Sequence, residues 1–479
     1  MRRISINYKD ALKRAKGGLV RAMKLQLGGV TPPFWKRGQT SPARVIILGF
    51  LLLILAGALL LMLPISTRAP GGTGFLEALF TATSATCVTG LVVHDTMQYW
   101  SEFGQAVILL LIQIGGMGVV TVAVAIFIFS GKRIGLKQRW VMQESISAPR
   151  VGGIIRMTGF ILRTALAIEA LGALLLAARF CPQFGLWKGL WYAVFHAVSA
   201  FCNAGFDLMG SEVPYSSLTA YGADPLVCLT VAGLIIVGGI GFSTWQDVAG
   251  NGRRLRQYRL QSKLILLFTV LLLAGGTLYF GLYEFGLPQW EGLGPGERAL
   301  AAFFQAVSPR TAGFNSVDLT QMSELGRLVT ILLMLTGGSP GSTAGGFKTT
   351  TLAVLLLSAW AVFRRRSNAE CFGRRLPDAV LRNASAIFWL YLTLFFLGGA
   401  LICCIDGVPL LDALFESASA IGTVGLSIVG TANLSAPSHL ILIFLMYFGR
   451  VGGLTMIYAV TAGNLSVSSQ YPQESVTVG

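Results

Sequence analysis

Long apolar stretches separated by short polar ones divide the chain into many segments with the character of membrane spans. A helix that crosses a bilayer needs about 20 mostly apolar residues. Stretches that reach or approach this length are found at residues 45–63, 103–129, 226–242, 264–282, 328–335, 387–404 and 440–448. The pattern predicts an all-α membrane protein that crosses the bilayer many times.

The composition supports this class and excludes others. Hydrophobic residues make up 54% of the chain and charged residues only 12%, about half the charged share of an average soluble domain. The net charge of +16 is segregated, with Lys and Arg concentrated in the tail 1–43 and in the connections 132–156, 253–263 and 364–382. Basic connections stay on the cytoplasmic side. We therefore expect a multi-pass protein of the plasma membrane with both termini in the cytoplasm, a lipid environment and no nucleic-acid partner.

An internal repeat is the most informative feature of the sequence. Four segments share a pattern that begins with serine and ends in glycine plus a large apolar residue: SATCVTGL (84–91), SAFCNAGF (199–206), SPRTAGF (308–314) and SAIGTVGL (419–426). Their glycines, Gly90, Gly205, Gly313 and Gly425, are 205 − 90 = 115, 313 − 205 = 108 and 425 − 313 = 112 residues apart. A single glycine could be a packing residue, but four at one spacing indicate a repeated structural unit.

Each repeat has the same plan. An amphipathic stretch of about 10 residues, too short to cross a bilayer, precedes each glycine, at 75–83, 186–198, 297–307 and 410–418. The apolar stretch that follows contains a glycine pair: Gly115 and Gly116, Gly238 and Gly239, Gly337 and Gly338, and Gly452 and Gly453. We predict eight spanning helices and four re-entrant helices, in repeats at 44–130, 151–249, 262–363 and 383–463, between an N-terminal tail (1–43) and a C-terminal tail (464–479).

Four re-entrant loops in one chain imply a shared pathway, because non-helical backbone at membrane depth must be buried in protein or line a cavity. Rings of backbone carbonyl groups can replace the water around a cation, and glycine permits the backbone angles that such rings need. The predicted cation-binding residues are the four glycines and the two residues before each of them: Val88, Thr89, Gly90, Asn203, Ala204, Gly205, Thr311, Ala312, Gly313, Thr423, Val424 and Gly425. Arg310 should point away from such a pathway, and Asp318 is a candidate partner for it.

The stretch TGGSPGSTAGGFKTTT (336–351) interrupts an apolar span with glycines and a proline. We call residues 336–350 the interrupting loop and predict that it gates the pathway. Its candidate residues are Gly337, Gly338, Gly341, Gly345, Gly346 and Lys348. Lys348 either lines the pathway or extends its amine to the cytoplasmic interface. Arg450 lies near the middle of the last apolar stretch, where a charge is costly and usually faces a cavity, and is the second charged gating candidate.

Two other classes of protein fit less well. A membrane-embedded enzyme would need a catalytic constellation such as HExxH, which the sequence lacks, so we expect no enzyme activity. The seven cysteines show no CxxC spacing, so no metal site other than one for the transported ion is predicted. A coupled secondary transporter would have a midplane site at broken helices. One broken span and a fourfold repeat argue against that class.

The segments SAFCNAGF, RTAGFN, GGSPGSTAGGFKTTT and FGRVGGLT resemble the Trk/Ktr/HKT superfamily of potassium transporters, over residues 45–463. The resemblance implies a homodimeric potassium uptake subunit that works with a cytoplasmic nucleotide-binding regulatory ring and carries no cofactor itself, with K⁺ as the substrate and Na⁺ as the candidate coupling ion. The absence of an extra hydrophobic hairpin before Val45 is more similar to the Ktr type than to the Trk type. Some plant members with sodium selectivity have serine at the position of Gly90, so glycine here favours potassium. A sodium-permeable or non-selective transporter of the same fold is the alternative.

Overall fold

The computed structural model describes residues 41–123, 136–145, 153–211 and 213–461, and this part of the chain is mostly helical. The two tails, up to residue 40 and from residue 464, lie outside the described residues, as does part of the basic connection 132–156. The first half contains α1 (Pro42–Leu61), α2 (Phe75–Cys87), α3 (Thr96–Tyr99), α4 (Glu102–Met117), α5 (Leu136–Ser145), α6 (Ile154–Phe184), α7 (Leu186–Cys202), α8 (Pro225–Gly239) and α9 (Phe242–Asn251). The second half contains α10 (Leu260–Leu282), α11 (Pro295–Val307), α12 (Glu324–Leu335), α13 (Thr349–Phe363), α14 (Asp378–Asp406), α15 (Leu410–Gly422), α16 (Ala436–Val451) and α17 (Gly453–Thr461).

Strand structure in the described residues is limited to one small hairpin between α13 and α14. Its strands, β1 (Glu370–Cys371) and β2 (Arg374–Arg375), pair antiparallel, with Glu370 opposite Arg375. The helices therefore carry the whole architecture, as the apolar pattern predicts.

Each of the four units begins with a long apolar helix: α1, α6, α10 or α14. In the described part of the chain these four are long and apolar enough to cross a bilayer, and the pair α8 and α9, bent by 95°, would count as a fifth crossing. Their outer faces expose large apolar side chains, among them Leu52 (65% exposed) and Leu174 (69%). Their inner faces pack on the short helix of the same unit, α1 on α2, α6 on α7, α10 on α11 and α14 on α15. Apolar outer faces of this kind suit a lipid environment.

The second helix of each unit, α4, α8, α12 or α16, is shorter than a bilayer crossing requires. These helices contain 16, 15, 12 and 16 residues. The chain leaves the helix at or beside a glycine with positive φ in three of them: Gly118 (+84°), Gly241 (+91°) and Gly452 (+89°). The prediction of a single broken span is therefore wrong, because the local sequence shows a glycine but not the turn that it makes.

The four units close into a ring. The second helix of each unit packs against the short helix of the next one: α4 on α7, α8 on α11, α12 on α15, and α16 back on α2. A chain of four similar units with this contact between neighbours must surround a common axis. The four short helices, α2, α7, α11 and α15, therefore lie inside the ring of long helices.

Glycines on the second helices permit this close packing. A Cβ on Gly115, Gly238 or Gly449 would collide with the carbonyl oxygen of Thr86, Phe201 or Ile421, each two residues before the C-cap of a short helix. The glycine of the fourth unit that corresponds to Gly115 is therefore Gly449. Of the predicted pair, Gly452 forms the turn that follows and Gly453 begins α17.

Replacing Gly449 with alanine tests this packing. The new Cβ would lie 3.0 Å from the Ile421 carbonyl carbon and cannot be accommodated by rotating a side chain. We expect a loss of about 1–3 kcal/mol in stability, as for other overpacked cores, seen as a lower Tm of the detergent-solubilised protein. Gly233→Ala is the matched control, because a Cβ at this helical glycine meets nothing within 4 Å. Equal melting temperatures for the two variants would contradict the packing.

Candidate functional site

A residue in the left-handed conformation lies at or soon after the end of each short helix: it is the C-cap of α2, α7 and α15, and it follows the last residue of α11 by 311 − 307 = 4 residues. Val88, Asn203, Thr311 and Thr423 have φ of +58°, +60°, +73° and +52°. All four are fully buried. Non-glycine residues adopt this conformation rarely, and β-branched residues more rarely still. The surroundings must therefore enforce it at the same point in each unit. We call the residues that follow the short helices, 88–91, 203–206, 311–314 and 423–426, the glycine loops.

The structure brings the four repeat glycines into one ring, in chain order. A Cβ on Gly90 would lie 3.1 Å from Gly205 Cα, one on Gly205 3.0 Å from Gly313 Cα, and one on Gly313 3.2 Å from Gly425 Cα. One on Gly425 would lie 2.9 Å from Gly90 Cα, which closes the ring. All four glycines have positive φ, from +68° to +98°. A side chain at any of them would collide with the backbone of the neighbouring unit.

The residues before the glycines supply carbonyl groups to the same ring. The carbonyl oxygen before each glycine lies beside the glycine of a neighbouring unit. A Cβ on Gly90 would lie 2.5 Å from Ala204 O, and one on Gly205 would lie 2.7 Å from Ala312 O. In the same way, Val424 O lies beside Gly313 and Thr89 O beside Gly425. All twelve residues predicted to bind the cation are thus gathered in four adjacent loops. A ring of backbone oxygens without intervening side chains suits a cation that has lost its water.

A serine near the end of each short helix forms a hydrogen bond with the glycine loop that follows it, and no role is predicted for this serine from the sequence. Ser84 Oγ and Ser419 Oγ accept from the backbone N–H groups of Gly90 and Gly425, at 3.1 and 3.0 Å. Ser199 Oγ and Ser308 Oγ donate to the carbonyl oxygens of Phe206 and Phe314, at 2.7 and 2.5 Å. The signal was present, since all four repeat segments begin with serine. It precedes the glycine by 90 − 84 = 6 residues in three units and by 313 − 308 = 5 in the third.

An outer cavity of about 510 Å³ opens above the ring and is lined by all four glycines. Three carboxylates, Asp95, Asp207 and Asp318, also line it. Burial raises the pKa of the Asp207 carboxyl to about 7, the N–H of Met209 lowers it, and the charge of Asp95 raises it. Asp207, which directly follows the second glycine loop, thus has a pKa near neutral pH and lies at the outer cavity.

The interrupting loop lies against the opposite side of the ring and is attached to the units around it. Ser339 N donates to Gly239 O at 3.0 Å, and Gly346 N donates to Gly449 O at 3.1 Å. A Cβ on Gly345 would collide with Thr423, and one on Gly346 would lie 2.7 Å from Gly422 O. The loop therefore packs directly beneath the fourth glycine loop, with no room for side chains there.

The other predicted gating glycines shape the loop and its attachments. Gly337 O and Gly338 O accept from the hydroxyl and the N–H of Thr349, at 2.9 and 3.1 Å. Gly341 O accepts from Phe242 N at 2.7 Å, which ties the loop to the start of α9. Lys348 Nζ donates to Ala344 O and Gly345 O, at 2.9 and 3.0 Å. The amine of Lys348 is therefore bound to carbonyl groups of the interrupting loop and is not extended to the cytoplasmic interface.

Arg450 connects the interrupting loop to the first unit. Its guanidinium donates to the carbonyl oxygens of Thr343, in the loop, and of Gly115 and Gly116, at the end of α4, with 3.0 Å to Gly116. Arg450 and Lys348 line an inner cavity of about 300 Å³ together with Gly341 and Gly346. The loop and these two cationic side chains thus lie between the outer cavity and the inner one.

Arg310 points away from the ring, as the sequence analysis expected, but its partner is different. Its side chain is 8% exposed, and Nη2 donates to Thr269 Oγ1 on α10 at 3.4 Å. Asp318 is exposed and instead accepts from the N–H and hydroxyl of Thr320 in its own turn. The two residues are close in sequence, but Arg310 packs against α10 and Asp318 lines the outer cavity.

Comparison with known proteins places the chain among cation transport proteins. The family model described as TrkH, cation transport protein, matches residues 45–465. The potassium/sodium uptake protein NtpJ of Enterococcus hirae is 40% identical over 450 residues, which cover 92% of this chain and 98% of that protein. The Ktr system potassium uptake protein B of Bacillus subtilis is 41% identical over 440 residues, covering 92% and 97%.

A solved structure has the same fold. The potassium transporter TrkH from Vibrio parahaemolyticus superimposes with a TM-score of 0.68, over 89% of this chain and 86% of that one, at 20% sequence identity. At this identity the likeness establishes the fold. The ring of four units is therefore an arrangement that a solved transporter structure shares.

Proposed function

The chain belongs to the TrkH family of cation transport proteins, and we propose that it takes up potassium across the plasma membrane through the ring of glycine loops. The observation that carries the proposal is the closed ring of Gly90, Gly205, Gly313 and Gly425 below the outer cavity. Carbonyl groups in such a ring replace the hydration shell of a monovalent cation without burying a full negative charge. The transported ion is substrate, and the chain itself carries no cofactor. The family is one of transporters, which agrees with the expectation that the chain is not an enzyme.

The interrupting loop is the gate of this pathway. It lies between the ring and the inner cavity, and its attachment by Arg450 places a positive charge below the ring. A cation leaving the ring meets both the backbone of the loop and this charge. Arginine retains its proton under physiological conditions, so the barrier persists until the loop or the arginine moves.

The number of membrane crossings, the location of the termini and the assembly of the chain are part of the same proposal. Each short second helix, together with the segment that follows it, completes one crossing, so that the chain crosses the membrane eight times around four re-entrant short helices. Both termini then lie in the cytoplasm. The name Ktr system potassium uptake protein B, carried by relatives from two bacteria, indicates a system with further proteins. We place this chain in a homodimer with a cytoplasmic regulatory subunit that binds the nucleotide.

A second candidate function is sodium permeation by the same ring, either alone or as the coupling ion. The name of the Enterococcus relative includes both potassium and sodium. Potassium remains the first choice because all four units have glycine at the ring. Uptake of each ion by a potassium-uptake-deficient bacterium expressing the chain, with and without a regulatory subunit, decides between the two.

Replacing Gly90 or Gly425 with serine tests the ring. The new side chain would lie against the carbonyl group of Ala204 or Thr89 and displace it. We expect the ratio of potassium to sodium uptake to fall about tenfold, which corresponds to about 1.4 kcal/mol of lost discrimination. Gly275→Ser, at a helical glycine with nothing within 4 Å of a Cβ, is the control. An unchanged ratio in both ring variants would remove the ring from the selectivity step.

Replacing Arg450 with alanine tests the gate. The substitution removes a positive charge and three hydrogen bonds from the junction of the loop with α4. We expect maximal potassium uptake to rise several-fold, and Arg450→Lys to be intermediate, since lysine keeps the charge but not the planar set of donors. Uptake over a concentration series gives the maximal rate, and the elution volume in detergent checks assembly. A correctly assembled alanine variant with parental uptake would show that Arg450 only packs.

The Asp207 carboxyl predicts how uptake depends on pH. It is neutral below its pKa of about 7 and charged above it, so raising the pH from 6 to 8 adds a negative charge at the outer cavity. One charge at this site is worth about 1 kcal/mol, and we expect KM for potassium to fall about fivefold over this range. Asp207→Asn should keep the high KM at both pH values. Asp318→Asn, which changes an exposed carboxylate of the same cavity, should keep the pH response, and a parental response in Asp207→Asn would contradict the assignment.

A further inference from the structure

Asn203 differs from the residues that occupy the same position in the other units. It is the C-cap of α7, with φ +60° and ψ +46°, and it has no exposed surface. The equivalent residues are Val88, Thr311 and Thr423, whose side chains are shorter. Asparagine is favoured in the left-handed conformation, but that preference does not explain why a longer amide is buried at this one place.

The amide of Asn203 lies between two hydroxyl groups from different parts of the chain. Its terminal atoms are 3.2 Å from Thr311 Oγ1, in the third glycine loop, and 3.3 Å from Thr343 Oγ1, in the interrupting loop. With Oδ1 toward Thr311, Nδ2 also lies 3.2 Å from Phe201 O and 3.3 Å from Ile235 O. Each polar atom of the amide then has a partner, as a buried amide requires.

The surrounding backbone leaves space for this contact. A Cβ on Gly238 would lie 2.9 Å from both Thr343 Oγ1 and the atom of the Asn203 amide that faces Thr343, so only glycine allows the two side chains to meet there. Thr343 N donates to Gly238 O at 3.3 Å, and Thr343 Oγ1 donates to Phe201 O at 3.0 Å. Thr343 O in turn accepts from Arg450. A continuous series of polar contacts therefore runs from Arg450 through Thr343 and the Asn203 amide to Thr311.

We propose that Asn203 is a positioning residue that couples the gate to the selectivity of the ring. When the interrupting loop is seated, its Thr343 holds the Asn203 amide, and the amide holds the Thr311 hydroxyl. When the loop moves away, the amide loses this support, and the oxygens of Asn203 and Thr311 become available to an ion that leaves the ring. The state of the gate thereby changes the geometry of the third glycine loop. This inference rests on the proposed function, because it assigns a connection between the proposed filter and the proposed gate.

A loop that only obstructs the pathway and a loop that is coupled to the ring give different results when a residue of the loop is replaced. If the loop only obstructs the pathway, a substitution in it changes the rate for potassium and sodium by the same factor. If Asn203 couples loop and ring, Thr343→Val changes the ratio of the two ions as well, although Thr343 is not in a glycine loop. Valine keeps the shape of threonine and removes only the hydroxyl group.

The test compares three single variants and one double variant of the full chain. Asn203→Thr places at this position the residue that the third and fourth units have there, so the left-handed conformation is retained while the contact with Thr343 is lost. We expect Thr343→Val and Asn203→Thr each to raise potassium uptake and to change the potassium to sodium ratio about fivefold, the effect of one hydrogen bond. The double variant should change the ratio no more than either single variant, because both break the same connection.

Ser342→Ala is the matched control. Ser342 is the neighbour of Thr343 in the loop, and its hydroxyl donates only to Ser339 O, at 2.7 Å, within the loop. It should leave the ratio unchanged. The coupling is overturned if Thr343→Val raises uptake without changing the ratio, or if the double variant changes it by the product of the single effects. Either outcome would leave the proposed function intact. The proposed function would fail separately, if Gly90→Ser kept the parental potassium to sodium ratio and Arg450→Ala kept the parental potassium uptake. Elution volume and Tm establish that each variant is folded.

Discussion

The structure depends on one constraint: backbone that leaves the helical conformation inside a membrane protein must find its hydrogen-bond partners within the protein. Each glycine loop meets this requirement locally, because its N–H groups return to the end of its own short helix, as Thr89 N does to Ser84 O at 2.8 Å. The loops can then stand side by side with backbone against backbone. Glycine is required where a neighbour's carbonyl oxygen takes the place of a Cβ, as Ala204 O does beside Gly90 at 2.5 Å. The same requirement extends outward, because the second helices contact the short helices through their own glycines.

The four units share this plan but are not equivalent, and their differences lie on one side of the ring. In the third unit the second helix gives way to the interrupting loop, and in the fourth unit a charge, Arg450, stands at the end of α16. In the second unit Asn203 takes the place of a shorter side chain. These residues meet at Thr343. Four identical units would give a ring with equal surroundings on every side. The substitutions in three units instead bind an asymmetric loop below the ring, where it can be held or released.

Much of the fold and of the candidate site could be predicted from local properties. The length of the apolar stretches, the spacing of the repeat glycines and the glycine-rich interruption were sufficient to predict the repeated units, and helices occupy all four stretches predicted before the glycines, most of them about a turn longer than expected. The hydrogen bonds of the four serines and the contacts of the Asn203 amide were missed. A hydroxyl or an amide in a helix end has many possible partners, and the partner is decided by atoms that lie far away in the sequence.

The sequence by itself determined the membrane class, the fourfold repeat and the position of the interruption, because these follow from hydrophobic length and from the conformational freedom of glycine. Only the tertiary structure decided that every second helix ends early, that Gly449 and not Gly452 makes the contact with a short helix, and that Arg310 binds Thr269 and not Asp318. Each of these outcomes depends on which atom of another unit occupies the neighbouring space. Close packing between units fixes that neighbour, and the order of residues along one chain does not specify it.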